Sequence, residues 1–81
     1  MDKEKQREVI SKKVNYYFKQ KSEVHIVLDN NRFYNGLIKS IGTDFIIMEE
    51  YRLGEAIVLF AEIKDIEPYE GEKWWKEKFI I

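Results

Sequence analysis

The sequence predicts a mainly β fold: an N-terminal α-helix followed by a five-stranded, strongly bent antiparallel small barrel. Three observations predict it. Apolar residues recur at helical spacing in the first twenty residues. The period then switches to two. Five short apolar runs divided by turn residues follow within about 45 residues, a strand density that suits a small barrel.

The elements follow in order. Residues 4–20 read as a helix, because Ile10, Val14, Tyr17 and Phe18 fall at i, i+4, i+7 and i+8 on one stripe, with Lys12, Lys13 and Lys19 off it. The charged cluster from Lys19 to Glu23 ends that pattern. Val24, Ile26 and Leu28 then alternate with His25, Val27 and Asp29 as a first strand. Asn30-Asn31 suits a tight hairpin, since asparagine tolerates the left-handed conformation. A second strand spans 32–41, and Gly42-Thr43-Asp44 turns into a third at 45–50. Residues 52–55 read as a turn, 56–61 as a fourth strand and 63–67 as a fifth, which Pro68 stops. The barrel reading thus covers 24–68, with residues 69–81 as an aromatic extension. No repeat or linker interrupts the chain, so one domain is expected over 1–81.

Gly36 interrupts the long second strand. A glycine there costs backbone entropy and packs nothing. It also permits a sharp bend and a close backbone approach, which a five-stranded sheet needs in order to curl. The alternative is a strand glycine with no special role.

Composition narrows the function. Hydrophobic residues make up 44%, enough for a folded core. The chain has no cysteine, which excludes disulfides, thiolate zinc sites and a cysteine nucleophile. No apolar run nears the roughly 20 residues of a membrane helix. The N-terminus is charged from Asp2, so no secretory signal is expected and the cytoplasm is the expected compartment. Net charge is −1 but uneven: residues 1–21 carry seven Lys/Arg against three Asp/Glu, and residues 22–81 seven against twelve. The basic balance of the first segment is either a solvated helix face or a local anion-binding edge.

The stretch VNYYFKQKSEVHIVLDNNRFYNGLIKSI resembles the Sm/LSm family, and its bacterial branch, Hfq, most of all. Asn15, Val24, Ile26, Leu28, Asn30, Gly36, Ile38 and Ser40 fit that pattern. With one extra residue in the next turn, DFIIM aligns with the family's third strand, and IKDIEP fits the closing segment at Ile63, Ile66 and Pro68. The resemblance covers about residues 10–68, largely as hydrophobic spacing around one glycine. The leading helix and the short link between strands four and five favour Sm over SH3-like or OB barrels.

The resemblance implies a hexameric or heptameric ring, in which the fourth strand of one subunit pairs with the fifth of the next. The fully apolar AIVLFA run, residues 56–61, suits an edge that seeks a partner, unless the chain covers it itself. The resemblance also implies single-stranded RNA held at two turns. At the first, Phe45, preceded by Asp44, stands where the family stacks a base; the alternative for Phe45 is core. At the second, Phe60 and Ala61 replace the lysine–histidine or arginine–glycine pair of the family, so no cation or donor remains there. Lys19 and Lys21 match basic rim positions that would touch phosphates. Arg32, Tyr34 and Asn35 occupy the region where Hfq holds purine-rich RNA on its other face, with Tyr34 read as a stacking ring and Arg32 as a phosphate partner.

Enzymatic chemistry finds no motif, and no cofactor, metal or small-molecule substrate is expected. His25 is the one histidine and reads as a surface or interface residue. Glu49 and Glu50 point to opposite faces of a strand and read as solvated. Ser40 has no histidine near it in sequence, and the glycines are scattered singly. Trp74, Trp75, Phe79, Ile80 and Ile81 read as an apolar set that packs on the barrel or on a neighbouring subunit; the alternative is a docking site for another protein. Two readings remain open: a ring that binds single-stranded RNA without catalysis, and an Sm-fold scaffold without RNA.

Overall fold

A computed structural model describes residues 3–69. The Trp74–Ile81 set therefore lies outside the described residues. Helix α1 (Lys3–Gln20) leads into strands β1 (Val24–Leu28), β2 (Phe33–Ile41), β3 (Phe45–Glu50), β4 (Gly54–Leu59) and β5 (Ile63–Pro68). A three-residue 3-10 turn, Phe60–Glu62, joins β4 to β5. All pairings are antiparallel, in the order β4-β3-β2-β1-β5. The sheet bends strongly but stays open, with β4 and β5 as its two edges.

Helix α1 buries Ile10 and Val14 and lays Tyr17 against the core. Phe18 departs from the expected stripe and is 37% exposed. Eight residues carry it about 80° around the helix from Ile10, enough to leave the buried line. The helix ends on Lys21, at φ 53. The Lys21 N–H donates to the Phe18 carbonyl and the Ser22 N–H to the Tyr17 carbonyl, a Schellman closure with lysine in the usual glycine place.

The core lies in the concave side of the sheet, under the helix. Val24, Ile26 and Leu28 line it from β1, Ile46 and Met48 from β3, and Ile63 and Ile66 from β5. Phe60, buried in the 3-10 turn, plugs the end. Asn31 sits at φ 67 in the first hairpin, as its residue type predicts.

Gly36 is where two strands meet most closely. A Cβ there would stand 1.8 Å from the Glu49 carbonyl oxygen, well inside any real contact. Two register shifts add to the bend: one between Ile38 and Ser40 against β3, and one between Val27 and Leu28 against β5. Bulges of this kind sharpen local twist. The glycine thus permits a close backbone approach, and the bulges steer it.

Two expectations are corrected. The fourth strand runs Gly54–Leu59 instead of 56–61. Gly54, at φ 81, lets the chain re-enter the ladder straight from the turn, opposite Glu50. Phe60 and Ala61 leave the strand because three residues must carry the chain from one sheet edge to the other. The second correction is Glu50, which is not solvated but 1% exposed. Its Oε1 accepts N–H groups of Arg52 (2.7 Å) and Leu53 (3.0 Å), and its Oε2 accepts that of Asn35 (2.9 Å). Burial pushes this carboxyl's pKa up, but the three backbone donors and the Arg52 charge outweigh it and hold the pKa below its ordinary value. Glu49, one residue earlier, faces solvent and lies 3.8 Å from Lys39.

Candidate nucleic-acid interface

The β2–β3 turn and the 3-10 turn are brought together, as the resemblance requires. The Phe60 N–H donates to the Asp44 carbonyl at 2.9 Å, and Phe45 pairs across the ladder with Leu59. Phe45 is 36% exposed, so its ring is not core. It lies against Gly42, where an added Cβ would meet it at 2.7 Å. Glycine at 42 leaves the room that one edge of the ring occupies. Asp44 is committed elsewhere: its Oδ1 accepts Arg7 Nη2 of α1 at 2.9 Å.

Beside these turns is a pocket lined by Glu4, Gln6, Arg7, Asp29, Phe60, Ala61 and Ile63. Two carboxylates face one arginine there, and that arginine already holds Asp44. Ala61 is exposed but offers no donor beyond its backbone. The pocket is therefore a poor anion site.

Lys19 and Lys21 lie on exposed surface at the end of α1. Neither ammonium is in an ion pair among the described residues. Both are available to a phosphate chain, without any geometry that would read a base.

The Arg32, Tyr34 and Asn35 group is divided by the strand alternation. Tyr34 pairs with Ile26 and packs half-buried against the core. Arg32 is exposed on the hairpin, its N–H bonded to Asn30 Oδ1 at 2.9 Å. Asn35 points outward, with Oδ1 2.5 Å from His25 Nδ1.

The outward-facing aromatic is one the sequence reading passed over. Phe33 is 44% exposed, with the Arg52 guanidinium 5.6 Å above its centroid and the His25 ring 5.2 Å away. Residues 25, 33 and 35 share one face, and Arg52 arrives from the β3–β4 turn. Period two would have found Phe33: if Gly36 and Tyr34 face inward, Phe33 and Asn35 face out. The long-range arrival of Arg52 had no local signal.

The open, helix-led five-stranded sheet can now be compared with known folds. A crystal structure of the pleiotropic translational regulator Hfq matches it with a TM-score of 0.62, over 72% of this chain and 95% of that one, at 12% identity. The fold is Sm-like. No family model matches the sequence, and no curated protein matches it either. The likeness to Hfq at that identity is one of fold, and the residues at the turns must be judged on their own chemistry. Among the described residues no helix is long and apolar enough to cross a membrane, and no cluster of His, Cys, Asp or Glu could hold a metal ion.

Proposed function

We propose that the chain is a single-domain, cytoplasmic Sm-like protein that assembles into a homo-oligomeric ring and binds single-stranded RNA without catalysis. The observation that carries the assembly is the pair of open sheet edges. β4 and β5 are six residues each, they end the sheet on opposite sides, and antiparallel pairing between copies would satisfy both. The RNA reading rests on side chains that remain accessible: Lys19 and Lys21 for phosphates, and Phe33 with Arg52, and Phe45, for stacked bases. Arg32 adds charge at the hairpin. Asp44, held by Arg7, orders the turn under Phe45 instead of touching RNA, and Asn35 and Tyr34 position their strand.

The test is size exclusion with light scattering on untagged protein, followed by titration of labelled oligoadenylate and oligouridylate at several salt concentrations. The expected result is a mass of several subunits and RNA affinity that falls with salt and with Lys19→Ala/Lys21→Ala. A monomer refutes the ring. Unchanged RNA binding in the double variant refutes the lysine rim.

One observation favours a second reading, a ring that serves as a scaffold without RNA. The pocket beside the two turns carries Glu4 and Asp29 and no free cation among the described residues. A multimer with no RNA affinity at low salt would select that reading.

A further inference from the structure

The sheet carries an apolar patch on the side away from its core. Residues directly opposed across an antiparallel pair share a face. Phe45 opposes Leu59 and Ile47 opposes Ile57, so these four stand together on the outer face of β3 and β4. Ile57 is 66% exposed, Leu59 45% and Phe45 36%, while Ile47 is half-buried between them. Single exposed hydrophobics are ordinary on protein surfaces, but a contiguous set asks for a cover. At the end nearer the β3–β4 turn the patch is bordered by the opposed pair Glu49 and Glu55.

The described chain stops close to that border. The Tyr69 N–H donates to the Glu23 carbonyl at 3.0 Å, and the Tyr69 ring lies 5.9 Å from that of Tyr51. Tyr51 opens the turn that leads into β4. Residues 70–81 thus follow a tyrosine whose ring meets that of Tyr51, three residues before β4 begins, with Glu55, Ile57 and Leu59 further along that strand. Twelve residues reach about 18 Å as a helix and about 40 Å extended. The six residues of β4 cover about 20 Å, so the segment spans the patch when largely extended.

Its chemistry is complementary. The segment EGEKWWKEKFII sets Trp74, Trp75 and Phe79 among Lys73, Lys76 and Lys78. The aromatics match the apolar patch; the segment's three Lys and three Glu cancel in charge, and the lysines beside the tryptophans can meet Glu55 at its border. We propose that residues 70–81 form a strap that packs Trp74, Trp75 and Phe79 onto the outer face of β3 and β4 of the same chain. The strap covers side chains and leaves the hydrogen-bonding edge of β4 free for pairing between copies; where it reaches Phe45 it takes the place of a stacked base, and the RNA reading then rests on Lys19, Lys21 and Phe33 with Arg52.

Intrinsic fluorescence tests this on the full chain, because Trp74 and Trp75 are its two tryptophans. The expected emission is blue-shifted relative to tryptophan in water and protected from acrylamide, and it does not change on dilution. Ile57→Lys shifts it toward the water value, while Val9→Lys, at an exposed helix position remote from β4 in sequence, leaves it alone. Should Ile57→Lys lose its far-ultraviolet circular dichroism, Ile57→Thr replaces it, since threonine keeps the strand preference; a smaller shift in the same direction is expected. Water-like emission in the unmodified chain overturns the strap, and so does an emission unmoved by substitution at Ile57. Blue-shifted emission that is lost on dilution assigns the patch to a second copy and overturns the strap within one chain.

Discussion

Replacing Glu50 should weaken the fold far more than its charged character suggests, and in a pH-dependent way. The side chain is 1% exposed and is the acceptor for three backbone N–H groups, from β2 and from the β3–β4 turn. Glutamine has one acceptor oxygen. Kept toward Arg52 and Leu53, that oxygen leaves the Asn35 N–H facing an amide NH2, two donors with nothing between them. One buried unsatisfied donor costs about 1–3 kcal/mol, so Glu50→Gln should cost about 2 kcal/mol. Alanine strands all three donors and should cost about 4 kcal/mol or more, a large share of the roughly 5–15 kcal/mol a domain has. The sign with pH follows from the lowered pKa. The carboxylate's contribution is complete above the unfolded-state pKa of about 4.3 and is lost as pH falls through the lower folded value. Urea unfolding followed by circular dichroism, at one protein concentration, at pH 7 and pH 3.5, measures both effects. The native chain should lose stability between those pH values, and Glu50→Gln should lose less over the same interval. A Gln variant within about 0.5 kcal/mol of the native chain at pH 7, or one with the same acid loss, would refute the account.

Gly36→Ala should cost about 3 kcal/mol or more in the same assay, because its Cβ would stand 1.8 Å from a backbone oxygen that cannot rotate away. Lys21→Gly should raise stability by about 0.5–1 kcal/mol, since φ 53 strains a lysine and not a glycine; a loss of stability would mean that the lysine chain makes a compensating contact. Arg7→Ala should change stability by less than about 1 kcal/mol, because its bond to Asp44 joins side chains 53% and 74% exposed.

The parts of this fold that depend on local pattern could be read from sequence. The helix, the five strands and the Asn30-Asn31 turn all follow from periodicity and backbone preference within a few residues. Gly36 could be read because glycine is conspicuous inside a strand. What could not be read depends on where distant segments meet. Glu50 is a charged residue beside another charged residue, and nothing local says that a turn folds back over it to offer N–H groups. Asp44 meets Arg7 from 37 positions away. Tyr34 and Phe33 were separable by parity alone, yet the choice needed an inward anchor, which the close approach at Gly36 provides. Residues 70–81 lie outside the described chain, and the sequence reading of their aromatics becomes specific only through the patch at Ile57.

The electrostatics of the two sides of the sheet bear on how RNA could be held. On the helix side, the pocket by the turns is lined by Glu4, Asp29 and an arginine whose charge is already shared with Asp44. Among its lining residues a phosphate finds one cation, Arg7, which Asp44 already holds. The proposed contacts lie outside it, and they differ in kind. Lys19 and Lys21 are point charges on flexible stems, so their share of binding is counterion release, with a salt slope of about −0.7 per phosphate neutralised on a single strand. Phe33 under Arg52 is a flat, partly desolvated platform, whose share is stacking and depends weakly on salt. The two mechanisms separate in a single titration series. A steep salt dependence with little preference among bases assigns the affinity to the lysine rim, and a shallow one with a preference for strongly stacking purines assigns it to Phe33 and Arg52.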